Sequence, residues 1–154
     1  EKVRGPVAVV IETALGDIHV VLETSKAPIT SDNFLRYVDE GAYSGGRFHR
    51  TVKMDNQPRN DVKIEVIQAG PRPDAKQHPP IPMEPTLQTK IVHKDGVISM
   101  ARGAPDSATS DFFICIGDQP SLDYSGARNP DGKGFAAFGR VTRGMDVVRR
   151  IQAS

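Results

Sequence analysis

Two segments decide the fold of this 154-residue chain: Gly96-Val97-Ile98-Ser99-Met100-Ala101 and Ser110-Asp111-Phe112-Phe113-Ile114. Both are short runs of apolar, β-branched or aromatic residues bounded by glycine or small residues. Because such runs favour strands over helices, the sequence predicts strands over Gly96–Met100 and Phe112–Ile116. The small, turn-forming residues of Ala104–Ser110 predict a loop between them.

Further strands of the same kind lie on both sides of this pair. Val7–Thr13 is apolar and β-branched, and after a turn at Ala14–Asp17 the apolar residues alternate again, which predicts a β-hairpin. Three more strands are predicted over Arg47–Thr51, Lys63–Ala69 and Phe135–Val141. Surface loops rich in proline, glycine or turn-forming residues are predicted over Asp55–Asp61, Gly70–Pro85 and Asp123–Gly134. This pattern is typical of a β-sandwich or β-barrel.

Two stretches have helical periodicity instead. The first carries possible N-cap oxygens at Thr30–Asn33 and a stop signal at Gly41. Its predicted apolar face consists of Phe34, Leu35 and Val38. The second helix begins near Gly144 and places Met145, Val148 and Ile151 on one face.

The composition is that of one soluble domain, with 38% hydrophobic and 25% charged residues. The formal charge is +1 and no block of Lys and Arg stands out, so nucleic-acid binding is not indicated. The longest apolar run, Val7–Ile11, is far shorter than the roughly 20 residues that a membrane-spanning helix needs. We therefore expect a single domain over residues 1–154, a monomer that is cytoplasmic or periplasmic and has no nucleic-acid or membrane partner.

The sequence lacks the motifs of several common metal, nucleophile and phosphate sites. The four histidines lack the spacing of a zinc site, and the single Cys115 cannot form an internal disulfide. No Gly-x-Ser-x-Gly motif presents a serine nucleophile. Gly126–Gly134 has neither the spacing nor the Ser or Thr of a phosphate-binding loop. We expect neither a metal nor a cofactor.

Five collinear groups of residues resemble the cyclophilin family of peptidyl-prolyl isomerases. They are Phe48-His49-Arg50; Ile67-Gln68-Ala69-Gly70; Gly96–Ala101 leading to Ser110–Ile114; Ser121-Leu122-Asp123; and Phe138–Val141 with Gly144–Val148. The resemblance implies an eight-stranded antiparallel β-barrel capped by two α-helices, with a peptide groove on its outer face. In the family a final strand follows the second helix, and this chain is expected to lack it.

The resemblance also implies an activity: acceleration of cis/trans rotation about X-Pro bonds in peptides and in unfolded or partly folded proteins, which assists folding. The barrier to this rotation comes from amide resonance and is about 18–20 kcal/mol. Lowering it requires an apolar pocket for the proline ring and fixed hydrogen-bond donors, but no nucleophile. A guanidinium supplies such donors at any working pH. Arg50 occupies the position of the family's catalytic arginine.

The same resemblance suggests the substrate-binding residues. Phe113 and Leu122 match apolar walls of the family's proline pocket, and Val66 replaces a third. Period-two alternation along Lys63–Ala69 puts Val66 and Gln68 on one face of the strand. The backbone of Ala101 and Arg102 is expected to line the groove. The remaining expected contacts are Phe48, His49, Met100, Asp111 and Phe135.

Four positions depart from the family's pattern. Asp111 replaces a glutamine and is expected to reach Arg50, Glu65 replaces an aromatic residue, Ser121 replaces a tryptophan at the pocket rim, and Phe135 replaces a histidine. A pocket altered in this way is expected to bind cyclosporin-like macrocycles weakly. The departures leave two alternatives to an active isomerase: a non-catalytic proline-peptide-binding or chaperone module, and a purely structural domain.

Overall fold

The computed structural model describes residues 5–57 and 62–154. Pro58–Asp61, the end of the predicted Asp55–Asp61 loop, lie outside the described residues. The strands within them are β1 (Val7–Thr13), β2 (Gly16–Leu22), β3 (Arg47–Val52), β4 (Val66–Gly70), β5 (Val97–Met100), β6 (Phe112–Cys115) and β7 (Ala137–Arg143). The α-helices are α1 (Pro28–Asp39), α2 (Thr86–Thr89) and α3 (Met145–Ala153), and a 3₁₀ helix spans Pro120–Leu122. No helix of the described residues is long and apolar enough to cross a bilayer.

All seven strands described join one curled antiparallel sheet in the order β1-β2-β7-β5-β6-β4-β3. The predicted mainly β architecture with two principal helices is confirmed. Across residues 5–57 and 62–154 the sheet has one strand fewer than the eight expected, and β1 and β3 form its two edges. Residues of both edge strands, including Ile11 and Phe48, line a groove of about 390 Å³.

Strand β6 is buried on both faces, and each face belongs to a different apolar cluster. Phe112 and Ile114 join the main hydrophobic core on one side of the sheet, which we call the inner face. Phe113 and Cys115 join a smaller cluster with Val66 on the opposite side, which we call the outer face. Because side chains alternate along a strand with a period of two, a single strand supplies both clusters.

Aromatic contacts and two helices close the inner face. The ring of Phe34 on α1 lies 5.3 Å from that of Phe112 and 5.3 Å from that of Phe138. On α3, Val148 and Ile151 are buried in the same core. Each well-oriented aromatic pair contributes about 0.5–1.5 kcal/mol beyond its area burial. The two predicted helices therefore hold the sheet from its inner face.

Hydrogen bonds made outside the sheet shift the starts of two strands from their predicted positions. Strand β4 begins at Val66 rather than Lys63, because the backbone of Ile64 is hydrogen-bonded to the Gln57 side chain. Gln57 Nε2 donates to Ile64 O at 2.7 Å, and Gln57 Oε1 accepts from Ile64 N at 3.1 Å. Strand β7 begins after Phe135, whose N–H donates to Leu122 O at 3.0 Å. Phe135 is therefore a loop residue.

Helix α1 receives its N-terminal cap from a distant residue, so the prediction of an N-cap within Thr30–Asn33 is wrong. The helix begins earlier, at Pro28, a residue suited to the first helical position because it has no N–H to satisfy. Its free N–H groups point instead to Glu84. Oε1 of Glu84 accepts from Thr30 N at 2.7 Å and from Thr30 Oγ1 at 2.6 Å, and Oε2 accepts from Ile29 N at 3.2 Å. Glu84 lies in the predicted Gly70–Pro85 surface loop but is only 2% exposed.

Replacing Glu84 by glutamine is expected to lower the free energy of unfolding by about 1–3 kcal/mol, because an amide turns an N–H₂ group towards backbone donors that need an acceptor. Chemical denaturation measures this loss. Glu12→Gln, at an exposed position of β1, is the matched control and should shift stability by less than about 0.5 kcal/mol. Equal stabilities for the two variants would contradict the capping role of Glu84.

Candidate active site

One row of directly paired residues crosses four strands. Arg50 on β3 pairs with Gln68 on β4, Gln68 pairs with Phe113 on β6, and Phe113 pairs with Ser99 on β5. Directly opposite residues of an antiparallel pair project from the same face of the sheet. The backbone pairing alone therefore brings a guanidinium, an amide and an aromatic ring together on the outer face.

Around Phe113 the outer face forms a pocket of about 260 Å³, which we call the outer pocket. Its most buried walls are Phe113, Leu122 and Val66, which are 4%, 0% and 3% exposed. Eight of the twelve predicted site residues line it: Arg50, Val66, Gln68, Ala101, Arg102, Phe113, Leu122 and Phe135. The outer pocket thus combines an apolar floor with a guanidinium at its edge.

The ring of Phe113 is held between two other rings. Phe135 meets it edge-on at a centroid distance of 5.3 Å, and His93 stacks on it at 6.0 Å with an interplanar angle of 14°. His93 is 1% exposed and hydrogen-bonded at both ring nitrogens, with Nδ1 2.7 Å from Asp123 Oδ1 and Nε2 2.8 Å from Ser99 Oγ. The sequence predicted no role for His93, because no local motif marks it.

The side chain of Arg102, rather than its backbone alone, shapes the pocket. It is 3% exposed, its Nε donates to Gly134 O at 2.9 Å, and its two terminal nitrogens each lie 3.1 Å from an oxygen of Asp131. The Arg102 hydrogen bonds, with the Lys133 backbone N–H, hold the pKa of Asp131 below its ordinary value. The guanidinium carbon lies 5.1 Å from the centroid of the Phe135 ring, close enough for a cation–π contact. Arg102 therefore fixes Phe135 against Phe113.

A chain of hydrogen bonds forms the polar edge of the pocket. Arg50 Nη1 donates to Gln68 Oε1 at 3.3 Å, and Gln68 Nε2 donates to Asp111 Oδ2 at 3.2 Å. His49 Nε2 lies 2.9 Å from the same Asp111 oxygen. Asp111 thus reaches Arg50 through Gln68, and not directly as the sequence suggested. A Cβ at position 70 would meet Asp111 Oδ1, so a side chain in place of Gly70 would displace this carboxylate.

Phe48 and Met100 lie outside the outer pocket, contrary to expectation. The pairing of β3 with β4 shifts between Arg47 and Arg50, and such a bulge reverses the alternation of side chains. Phe48 therefore packs against the inner core although Arg50 faces outward. Met100 pairs with the inner-face residue Phe112 and is 1% exposed in the same core.

Three residues outside the predicted set also line the outer pocket: Ile64, Arg128 and Asn129. The sequence contains a signal for Ile64, because it lies two positions before Val66 and strand alternation puts both side chains on one face. Glu65, expected in place of an aromatic pocket residue, does not line the pocket, and its Oε1 accepts from Gln152 Nε2 at 3.3 Å. Arg128 and Asn129 come from the Asp123–Gly134 loop, whose course no periodicity predicts.

Residues 5–57 and 62–154 hold no group of three or more His, Cys, Asp or Glu side chains that could bind a metal ion. What the outer face presents is an apolar pocket, an adjoining groove and a guanidinium at the pocket edge. A second pocket of about 270 Å³ adjoins the first and shares Gln68, Ala101 and Arg102 with it. An apolar pocket beside a groove can hold a side chain and the extended segment that flanks it.

Comparison with known proteins identifies the family. A profile described as cyclophilin type peptidyl-prolyl cis-trans isomerase/CLD matches residues 8–154. Peptidyl-prolyl cis-trans isomerase cyp18 of Streptomyces antibioticus is 36% identical over 144 residues, covering 92% of this chain and 81% of the relative. Peptidyl-prolyl cis-trans isomerase B of Escherichia coli is 36% identical over 146 residues, covering 94% and 83%. The chain belongs to the cyclophilin-type peptidyl-prolyl cis-trans isomerase family.

Solved structures agree on the fold. The crystal structure of a Cryptosporidium parvum cyclophilin-type isomerase aligns with a TM-score of 0.74 at 22% sequence identity, covering 96% of this chain and 84% of that one. A second structure of that protein, in the presence of the dipeptide Ala-Pro, aligns with a TM-score of 0.71 at 22% identity over 95% and 85% of the two chains.

The Asp111 contact to Gln68 yields a test of the polar edge. Asp111→Ala is expected to lower kcat/KM for an X-Pro peptide about fivefold, the equivalent of one net hydrogen bond, because the freed Gln68 amide can turn its N–H₂ towards Arg50. Asp111→Asn retains an acceptor oxygen and should stay within about twofold of wild type. The measurement is an isomerase assay on both variants. Equal losses in the two would mean that Asp111 acts through its charge and not by orienting Gln68.

Proposed function

We propose that this protein accelerates cis/trans rotation about X-Pro bonds in peptides and in unfolded or partly folded proteins, with Arg50 as the catalytic group. The observation that carries the proposal is the row in which Arg50, Gln68 and Phe113 face one pocket. The curated relatives are named peptidyl-prolyl cis-trans isomerases. The Cryptosporidium structure obtained in the presence of Ala-Pro supports a proline-containing substrate for this chain as well.

Substrate binding divides between the two pockets of the outer face. The proline ring fits the apolar floor made by Phe113, Leu122 and Val66. The flanking residues run in extended form across Ala101 and Arg102, which both pockets share. Anchoring the peptide on both sides of the X-Pro bond restricts the freedom of its ends, so that binding energy can be used to hold the twisted amide.

Catalysis rests on donors placed where charge develops. As the C–N bond twists, the amide loses resonance and its nitrogen becomes pyramidal and basic. The Arg50 guanidinium stays charged at any working pH, and its side chain makes one hydrogen bond within the described residues, to Gln68. Its other N–H groups can stabilise the twisted amide. One such preorganised donor lowers a barrier by about 3–4 kcal/mol.

Arg50→Ala is therefore expected to lower kcat/KM by about 100- to 1,000-fold with little change in stability, since Arg50 is exposed and its hydrogen bond to Gln68 is long. Arg47→Ala, at an exposed position of the same strand, is the matched control and should keep wild-type turnover. NMR exchange or a protease-coupled assay on an X-Pro peptide measures both. Unchanged turnover in Arg50→Ala would remove Arg50 from the mechanism. If the wild-type protein bound the peptide but did not accelerate its isomerisation, the protein would be a peptide-binding module.

The rim of the pocket yields a prediction about macrocycles. Ser121 lies in the 3₁₀ helix beside the pocket wall Leu122 and offers little apolar surface. We expect cyclosporin-like macrocycles to bind with a dissociation constant weaker than the low-micromolar range, and Ser121→Trp to tighten binding by about tenfold or more through aromatic contact. Calorimetry measures both values. Ser44→Trp, exposed on the other side of the sheet, is the control, and low-micromolar binding by wild type would refute the prediction.

A further inference from the structure

The pocket that adjoins the outer pocket, which we call the second pocket, presents a negative charge to a ligand. It has a volume of about 270 Å³. Among the described residues, the charged ones that line it are Asp111 and Arg102. The Arg102 side chain is 3% exposed and paired with Asp131, so its charge is neutralised in place. The Asp111 side chain is 38% exposed. A ligand in the second pocket therefore meets the Asp111 carboxylate.

This carboxylate can accept further hydrogen bonds. His49 Nε2 and Gln68 Nε2 lie 2.9 Å and 3.2 Å from its Oδ2, and no donor of the described residues reaches its Oδ1. The buried side-chain atoms without a partner in the described part of the chain are Ser31 Oγ and Asn129 Nδ2, so Asp111 Oδ1 is open to solvent. An ionised carboxylate offers about four acceptor sites. Asp111 thus retains capacity for a donor that arrives with the substrate.

Backbone and loop hydrogen bonds form the second pocket before a peptide binds. Asp111 O accepts from Ala101 N at 3.0 Å, which fixes Asp111 beside a residue that lines both pockets. In another part of the wall, Ser107 Oγ accepts from Gly103 N at 3.1 Å and donates to Ala104 O at 2.5 Å. The position of the carboxylate relative to the path of the peptide is therefore set by the fold.

The polar edge separates two opposite charges along the outer face. Arg50 lines the outer pocket, Asp111 lines the second pocket, and Gln68 lies between them with a hydrogen bond to each. His49 is the other ionisable side chain that contacts Asp111. A neutral imidazole donates a hydrogen bond without cancelling the carboxylate charge. A peptide with its X-Pro bond at Arg50 and a cationic group in the second pocket complements both charges.

The geometry of an extended peptide selects the residue that reaches the second pocket. Side chains alternate along an extended chain, so the residues two positions before and after proline project to the same side as its ring. These residues lie about 7 Å along the chain from proline. The residues directly next to proline project to the other side. With proline in the outer pocket, a side chain two positions away is therefore the one that enters the second pocket.

We propose that Asp111 is a specificity-determining residue, which favours X-Pro peptides that carry lysine or arginine two positions from the proline. This inference rests on the proposed function and adds a substrate class to it. Because a partly exposed ion pair is worth little, the cationic side chain should raise kcat/KM by about three- to fivefold over an uncharged one of equal length. Glutamate at the same position meets a like charge and should lower kcat/KM.

The test compares capped, uncharged heptapeptides with a central Ala-Pro that differ at one residue. Lysine, norleucine or glutamate is placed two positions before the proline or two positions after it. Norleucine keeps the stem of lysine without its ammonium group. NMR exchange measures kcat/KM for each peptide at about pH 8, where imidazole in water is neutral. Lysine should exceed norleucine by about three- to fivefold at one of the two positions, and by less than about 1.5-fold directly before the proline.

Variants assign the preference to Asp111. Asp111→Asn keeps the shape and an acceptor oxygen but removes the charge, so the ratio of lysine to norleucine peptide should fall to within about 1.5-fold of one, whatever happens to the turnover of both. Asp39→Asn removes the same charge at the exposed end of α1 and should keep the wild-type ratio. In wild type, a rise in salt from about 0.1 M to 1 M shortens the screening length from about 10 Å to 3 Å and should lower the ratio.

The outcomes separate this preference from the proposed function. A wild type that accelerates all the peptides equally overturns the role of Asp111 and leaves the isomerase intact. A preference for lysine that persists in Asp111→Asn also overturns it. A wild type that accelerates none of the peptides overturns the proposed function and the preference with it. If Asp111→Asn fails to fold, Asp111→Gln and the salt series decide: a ratio that neither of them lowers overturns the proposal, and a lowered ratio supports it.

Discussion

Burial of strand β6 on both faces is the constraint on which the rest of the structure depends. Phe112 and Ile114 complete the inner core, and Phe113 and Cys115 complete the outer cluster. A slip of one residue in the pairing of β6 would exchange the two sets of side chains, which differ in size and shape. The core therefore fixes the register that places Phe113 opposite Gln68. The position of the pocket floor is a consequence of packing on the other side of the sheet.

This arrangement gives the site a rigid part and an adaptable part. The rigid part is Phe113, held between the His93 and Phe135 rings, with His93 itself fixed by two short hydrogen bonds. Burial also raises the pKa of the Cys115 thiol behind it, which keeps this side chain neutral and chemically inert. The adaptable part is the hydrogen-bonded chain that runs from the exposed Arg50 to the half-buried Gln68 and Asp111. In the proposed function, the packed rings recognise the shape of the proline, and the Arg50 side chain stabilises charge while it follows the rotating amide.

Sequence patterns predicted the strands and most of the outer pocket because period-two alternation and turn residues are local signals. They failed where a distant side chain replaced a local one. Two examples are the cap of α1 by Glu84 and the hydrogen bonds of the Gln57 side chain to the Ile64 backbone. Both join residues that come together only in the folded chain. The bulge in β3 is a further example, because it sends Phe48 inward although Arg50, two positions later, faces outward. Met100 has a different cause. Its place in a family motif suggested a pocket contact, but its side chain alternates with that of Ser99 and therefore lies on the inner face.

The departures from the family's pattern change the chemistry of the pocket rim more than its floor. Phe135, which takes the place of a histidine, brings an aromatic edge to Phe113, and the Arg102 guanidinium lies over the Phe135 ring. Ser121 and Glu65 bring no apolar surface to the pocket, whose lining instead includes Ile64, Arg128 and Asn129. The floor therefore keeps its apolar character while the rim becomes richer in hydrogen-bond donors. A donor-rich rim favours ligands recognised through their carbonyl oxygens over ligands recognised through apolar contact, because an unpaired donor covered by an apolar group loses its water without gaining an acceptor.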